Sequence, residues 1–198
     1  MKIEKKWIIL IALVAFILIT YFTIKSKYNG MVQGEESVKS QWAQVENVYQ
    51  RRADLIPNLV NTVKGYASHE KGTLEGVIEA RAKATSISID PNNLNAESFK
   101  NFQQAQNGLS SALSKLMVVV ERYPDLKANQ NFLELQAQLE GSENRITVER
   151  QKFNDEAKKY NTYIKNFPNN IFANMFGFTS KDYFKAVQGA EKAPEVKF

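Results

Sequence analysis

The chain has 198 residues, with 26 Lys and Arg, 21 Asp and Glu, one His, no Cys and a formal net charge of +5. Without cysteine, disulfides, a thiol nucleophile and a lipid-modified cysteine anchor are excluded. Residues 1–28 carry five Lys and one Glu, or +4, which leaves only +1 for the rest. A nearly balanced domain lacks the clustered basic face that nucleic-acid binding requires, so no nucleic-acid partner is predicted.

The apolar run of 18 residues at 7–24 predicts a transmembrane helix. At about 1.5 Å of rise per residue it spans roughly 27 Å, close to the ~30 Å hydrocarbon core of a bilayer. Lysines flank it on both sides, in the basic segment 1–6 and at Lys25 and Lys27. The run is longer than a signal-peptide core and ends without a small-x-small cleavage site. We therefore expect an uncleaved anchor in the lipid bilayer.

The lysine distribution also predicts an orientation. Three lysines and the chain amine precede the run, and two lysines follow it closely. The positive-inside bias then places the N-terminus in the cytoplasm and the domain outside it.

The first helix after the anchor is predicted from apolar residues that recur at spacings of three and four. This stripe can be extended back to Ile24, so the helix continues out of the membrane, with Asn29-Gly30 and Gly34 as candidate hinges. Pro57 removes one backbone hydrogen bond and crowds the carbonyl of Ala53, and it predicts a kink because the stripe continues beyond it. The stripe consists of Val38, Trp42, Val45, Tyr49, Arg52, Ile56, Leu59, Val63 and Tyr66.

Three further helices are predicted within residues 28–178. The second covers about 68–87, the third begins after Asn95 as N-cap and ends at Pro124, and the fourth extends from Asn129 to Pro168. A short connection makes the third and fourth antiparallel neighbours. The predicted fold is all-α: an N-terminal transmembrane helix followed by a long antiparallel four-helix bundle with shallow, coiled-coil-like crossing angles of about 20°.

Beyond Pro168, large apolar residues are concentrated in a short stretch. One interpretation is a hairpin-like cap over one end of the bundle; the other is a contact patch for a partner or the bilayer surface. Residues 179–198 are predicted as a C-terminal tail that is disordered from Gly189. The candidate contact patch is Phe172, Met175, Phe176 and Phe178.

No catalytic, cofactor or metal site is predicted. His69 and Glu70 begin a His-Glu-x-x-His pattern, but Thr73 stands where the second histidine is required. His69 is therefore expected to be a surface or capping residue. With no phosphate-binding glycine loop either, no small-molecule substrate is predicted.

Charged residues do fall on the apolar stripes: Arg52 and Glu35 on the first helix, Glu149 and Glu156 on the fourth. The favoured interpretation is an internal ion pair between Arg52 and one of these glutamates, fixing helix register. The alternative is an enzyme in which Glu149, Glu156 or Asp54 performs acid–base work or holds a hard cation.

Two long strings resemble the LemA family of bacterial membrane proteins. Residues 38–84 contain RRADLIPNLV, and residues 116–178 contain YPDLKAN followed, after two intervening residues, by a phenylalanine. The resemblance implies a single-pass protein of the bacterial cytoplasmic (inner) membrane with a long antiparallel helical bundle. It implies no catalytic residue or cofactor.

Three functional hypotheses follow. The first is a membrane-tethered scaffold of the cell envelope that binds an envelope protein or a second copy of itself. The second is a signal-relay protein in which Pro57 passes motion between the bundle and the membrane helix. The third, the enzyme that uses inward carboxylates, ranks last.

Overall fold

The computed structural model describes residues 5–185, and these residues form helices and connecting turns without any strand. The all-α prediction is therefore confirmed. The helices are α1 (Lys5–Tyr66), α2 (Lys71–Ser86), α3 (Ala96–Val120), α4 (Pro124–Lys127), α5 (Gln130–Lys165) and α6 (Asn169–Phe176). The predicted disorder from Gly189 lies outside the described residues.

The chain divides into two compact units. The first unit contains the chain up to Ser40 together with Asp155–Lys181. The second contains Gln41–Asn154 together with the chain from Asp182 onward. Helices α1 and α5 each contribute residues to both units.

Helix α1 begins in the basic flank and continues through the apolar run, as the stripe predicts. By length and composition its apolar segment can cross a membrane, and that segment is entirely exposed. The predicted hinges at Asn29-Gly30 and Gly34 are wrong, since both sites are helical.

The two glycines instead give room to tyrosines of α5. A Cβ atom built on Gly34 would lie 3.1 Å from Cδ2 of Tyr160, and one on Gly30 would lie 2.9 Å from Cζ of Tyr163. Glycine at these positions therefore permits close approach of a ring to the α1 backbone. Gly30 and Gly34 therefore allow close helix packing in the first unit and are not flexible points of α1.

The second unit has a continuous apolar core to which each of its helices contributes. Burying each large side chain contributes about 1.5–3 kcal/mol before the entropy of ordering is subtracted. Its fully buried members include Ile56, Leu59 and Val63 of α1, Val77 of α2, Leu109 and Leu116 of α3, and Leu126 of α4.

Local signals placed several helix ends correctly. Asn95 caps α3, with its Oδ1 accepting a hydrogen bond from Ser98 N at 2.9 Å. Asn129 does the same for Phe132 N at the start of α5, at 3.0 Å. The one-turn helix α4, with Pro124 in its first turn, was not predicted.

The segment after Pro168 is a helix, so the hairpin-like cap is wrong. Helix α6 ends at Gly177, whose φ of 79° terminates it in the left-handed conformation. Glycine adopts this conformation without the steric penalty that a Cβ would bring.

Candidate functional site

Arg52 is the centre of a polar cluster in the second unit and is only 2% exposed. Its Nη1 donates to Glu143 Oε2 at 2.6 Å and to Ser110 Oγ at 3.2 Å, and its Nη2 donates to Gln106 Oε1 at 2.6 Å. The guanidinium carbon also lies 5.3 Å from the ring centroid of Tyr49. Burial raises the pKa of the Tyr49 hydroxyl, so this neighbour stays neutral.

Gln106 extends the cluster to another helix. Its Nε2 donates to the backbone oxygen of Ala84, at the end of α2, at 3.2 Å. Arg52 is thereby tied, directly or through Gln106, to α2, α3 and α5. Such a cluster specifies which helices adjoin and in which register.

The predicted partner of Arg52 is corrected. Its carboxylate is Glu143, whereas the three glutamates named from the stripes have other partners. Glu149 accepts from Gln41 Nε2 at 2.8 Å and pairs with Lys152 at 3.0 Å, while Glu156 pairs with Lys159 at 2.6 Å. The hydrogen bonds from Lys152 and then Gln41 lower the pKa of Glu149.

Glu35 belongs to a cluster of the first unit. Its Oε1 lies 2.6 Å from Lys181 Nζ, and the Lys181 side chain is only 4% exposed. The backbone of Lys181 is held by Asn161, whose Oδ1 accepts from Lys181 N at 2.8 Å and whose Nδ2 donates to Lys181 O at 2.7 Å. Burial, and then the charge of Glu35, raise the pKa of Tyr160 nearby. A buried lysine is stable here because its charge is paired.

In the second unit, an asparagine side chain of α5 holds the backbone of a later residue in the same way, through two hydrogen bonds. Asn154 Oδ1 accepts from Phe184 N at 2.9 Å, and Asn154 Nδ2 donates to Phe184 O at 3.1 Å. The Phe184 ring packs against Trp42, Phe99 and Phe153, with centroids 4.9–5.8 Å apart. Although the sequence places 179–198 in a tail, the packed chain extends at least to Phe184.

Pro57 lies inside α1 and cannot donate a backbone hydrogen bond to the carbonyl of Ala53. A side chain of α2 supplies that hydrogen bond instead. The Nε atom of Arg81, on α2, donates to the oxygen of Ala53 at 2.7 Å. Ala53 lies four positions before Pro57, and its carbonyl would accept the helical hydrogen bond from residue 57 if that residue had an N–H. Arg81 also lies 3.9 Å from Asp54, which accepts a hydrogen bond from Gln50 at 2.7 Å.

These clusters are arranged for structure more than for chemistry. Every carboxylate proposed for acid–base work, namely Glu149, Glu156 and Asp54, has a cationic partner within 4 Å. Within residues 5–185, no group of three His, Cys, Asp or Glu side chains is placed to hold a metal ion. His69 is exposed in the turn between α1 and α2, as expected.

A cleft of about 600 Å³ in the second unit offers no better catalytic arrangement. Lys100, Arg150 and Lys185 contribute positive charge to its lining. Arg150 is already engaged, because its Nη2 donates to Lys185 O at 3.1 Å and its guanidinium stacks on Phe184.

The candidate contact patch is in the first unit. Met175 and Phe176 are 59% and 41% exposed, and Phe172 and Phe178 are half-buried. Tyr28 of α1 packs edge-on against Phe176 and Phe178, with centroids 5.1 and 5.6 Å apart. Ile171 and Phe167 add further exposed apolar surface at 55% and 82%.

Sequence reasoning missed Glu143, Gln106, Lys181, Asn154, Asn161 and Arg81. Glu143 directly follows Ser142, a stripe position, so it lies at the edge of the stripe where periodicity alone does not separate a cluster member from a solvated residue. For Arg81 alone the sequence contained a related signal. Pro57 predicts that the carbonyl of Ala53 lacks its helical donor, but it does not identify the residue that replaces that donor.

A sequence model of the LemA family matches residues 41–198. The chain is 28% identical over 193 aligned positions to magnetosome protein MamQ of Magnetospirillum gryphiswaldense, covering 88% of this chain and 69% of that protein. Identity is 27% over 194 positions to magnetosome protein MamQ 2 of Paramagnetospirillum magneticum, with the same coverage of 88% and 69%. Protein LemA of Metamycoplasma hominis is 21% identical over 182 positions, covering 92% and 80%.

Proposed function

Since the chain belongs to the LemA family, we propose that it is a single-pass membrane protein whose helical domain is a non-catalytic scaffold of the bacterial cell envelope. The observation that carries the anchor is the wholly exposed apolar segment of α1, which is long enough to cross a bilayer. Exposed apolar residues elsewhere in soluble proteins are scattered, whereas here they form a continuous span.

The second unit is proposed to be an antiparallel four-helix bundle. Three contacting pairs support an antiparallel arrangement of α1 and α5. From one pair to the next, the residue number rises along α1 and falls along α5. These pairs are Trp42 with Phe153, Arg52 with Glu143, and Tyr66 with Asn129, the residue that caps the start of α5. Arg81 with Ala53 supports the same for α1 and α2, and Ala84 with Gln106 connects α2 to α3.

Binding rather than catalysis is proposed because the charged groups of the polar clusters are paired within the protein. Arg52, Glu149 and Lys181 each have their charge paired within the protein. A catalytic acid or base needs a free position beside it for a substrate atom. The MamQ relatives are named for the magnetosome rather than for a reaction, which also favours a scaffold.

The scaffold proposal predicts a protein neighbour in the membrane. Val118, Leu133 and Val148 of the second unit are 71%, 44% and 49% exposed. Introducing a photo-crosslinking amino acid at each position of the full chain is expected to capture a second copy or another envelope protein at one or more of them. If only monomers are recovered at every position in intact membranes, the scaffold proposal is wrong.

The alternative is a signal relay through α1. It is favoured by one observation: the helix that contains the apolar segment also contains Pro57. The relay predicts that Pro57→Ala leaves the helical content unchanged but alters the crosslinking pattern at Val118. An identical pattern in both proteins would exclude the relay and leave the scaffold intact.

A further inference from the structure

We propose that α6 is an interfacial helix and that it inserts the apolar side chains of Ile171 and Met175, together with Phe167 just ahead of it, among the lipid headgroups where α1 leaves the bilayer. The inference rests on the membrane anchor of the proposed function. It adds a second lipid contact and identifies the bilayer surface as the partner of the exposed patch.

The position of α6 along α1 is the first observation. Tyr28 contacts Phe176 and Phe178 of the first unit. Tyr28 is four residues beyond Ile24, the last residue of the apolar run, and so about 6 Å further along the helix axis. The run already spans most of the ~30 Å hydrocarbon core. Phe176 and Phe178 are thereby held at the depth of the headgroup layer.

The exposed surface of α6 is the second observation. Phe167, Ile171 and Met175 are spaced four residues apart and are 82%, 55% and 59% exposed. Side chains at i and i+4 of a helix share a face, so Ile171 and Met175 present one apolar surface. On another side, Ala173 and Asn169 are buried, and Asn169 Nδ2 donates to Tyr163 O at 2.8 Å.

The absence of charge is the third observation. No Asp, Glu, Lys or Arg occurs in the sequence between Lys165 and Lys181. The exposed polar residues of α6 itself are Asn170 and Asn174, uncharged amides. A face of apolar side chains and amides can enter the boundary between headgroups and acyl chains without the cost of removing a charged group from water.

A lipid surface fits this patch better than a protein partner. The patch adjoins the residues that follow the membrane span, where lipid is already present, and Lys25 and Lys27 lie close in sequence to contact anionic headgroups. Large exposed apolar patches mark protein or membrane contacts. Here the depth imposed by Tyr28 selects the membrane.

The depth of individual side chains tests the proposal. The chain contains no native cysteine, so single-cysteine variants of the full chain can be spin-labelled and placed in vesicles of phosphatidylethanolamine and phosphatidylglycerol. Met175→Cys reports on α6. Leu18→Cys, within the span, and Ser111→Cys, exposed in the second unit, are the references. Collision with oxygen marks lipid, and collision with a nickel chelate marks water.

The expected result is that the label at residue 175 favours oxygen over the chelate relative to the label at residue 111. If labels at 175 and 111 are equally aqueous while the label at 18 reports bilayer, the interfacial helix is wrong and the anchor stands. Purified vesicles contain no partner protein, so a patch made for such a partner also gives this result. If the label at residue 18 is aqueous, both the anchor and the interfacial helix are wrong.

Discussion

The residue Arg81 supplies the hydrogen bond that Pro57 removes from α1. Proline inside a helix leaves the carbonyl four positions earlier without its donor, and Ala53 is 3% exposed, so water is a poor substitute. The guanidinium reaches this oxygen from α2 at 2.7 Å. The irregularity in one helix thus specifies which face of the next helix adjoins it.

A double-mutant cycle tests this dependence. We expect Arg81→Met to lower the free energy of unfolding by about 1–3 kcal/mol, because the carbonyl of the buried Ala53 loses a charged donor. In a Pro57→Ala background residue 57 regains its N–H, so the same substitution is expected to be less damaging. Denaturant unfolding in detergent, followed by circular dichroism, measures both.

Arg51→Met, at an exposed position of α1, is the control for losing an arginine and is expected to change stability by less than about 0.5 kcal/mol. If Arg81→Met lowers the free energy of unfolding equally with and without Pro57, then Arg81 does not compensate for the hydrogen bond that Pro57 removes.

Glu46 predicts a pH dependence of stability. Burial raises the pKa of its carboxyl above the ordinary 4.5, and the Trp42 indole offsets this in part. The folded protein therefore holds this proton more tightly than the unfolded chain does, so the contribution is favourable below pH 4.5 and declines as the pH rises through the folded pKa. Glu46→Gln should be more stable than the parent at neutral pH, with the difference shrinking in acid.

Thermal unfolding of both proteins across this pH range measures the difference. Glu140→Gln, at an exposed position of α5, controls for the loss of one carboxylate. A difference for Glu46→Gln that grows toward acid pH would reverse the sign argued here.

At the scale of the helix, local sequence signals were sufficient to predict where the long helices lie. They were insufficient to predict which residues of other helices pack against them. Asn95 and Asn129 marked helix starts because a cap depends on only a few neighbouring residues. The roles of Gly30 and Gly34 were misjudged because isolated glycine in a sequence signals flexibility, whereas the tyrosines that fill the space, Tyr163 and Tyr160, lie far away in the sequence, on α5. Glu143 was missed for the same reason, since its importance comes entirely from Arg52.

The packing of Tyr160 on Gly34 predicts an asymmetric response to larger side chains. Gly34→Leu is expected to lower stability by about 1–3 kcal/mol, because its Cβ alone would lie 3.1 Å from a buried ring. Gly141→Leu, in α5 with nothing within 4 Å of its Cβ position, should instead raise stability by about 0.5–1 kcal/mol through helix propensity.

Thermal unfolding in the same detergent compares the two variants directly. Stabilisation by Gly34→Leu would mean that the site is a solvent-exposed helix position and that the close approach has no energetic consequence.

For the whole molecule, the division into two units changes how the anchor relates to the rest of the chain. The first unit combines the apolar segment of α1 with the end of α5 and with α6. The ion pair between Glu35 and the buried Lys181 and the aromatic contacts of Tyr28 stabilise this unit next to the apolar segment of α1. The second unit holds a continuous apolar core and the Arg52 cluster.

Orientation is the remaining property of the whole molecule, and the lysine distribution predicts it. The basic flank 1–6 should remain in the cytoplasm, because lysines close to a span are translocated poorly. The second unit is then outside. We expect Ser111→Cys in intact spheroplasts to react with a membrane-impermeant maleimide, and Ile3→Cys to react only after lysis. Comparable expression and membrane recovery of the two variants control for unequal amounts of protein. The opposite labelling pattern would place the folded domain in the cytoplasm and restrict its partners to proteins of that compartment.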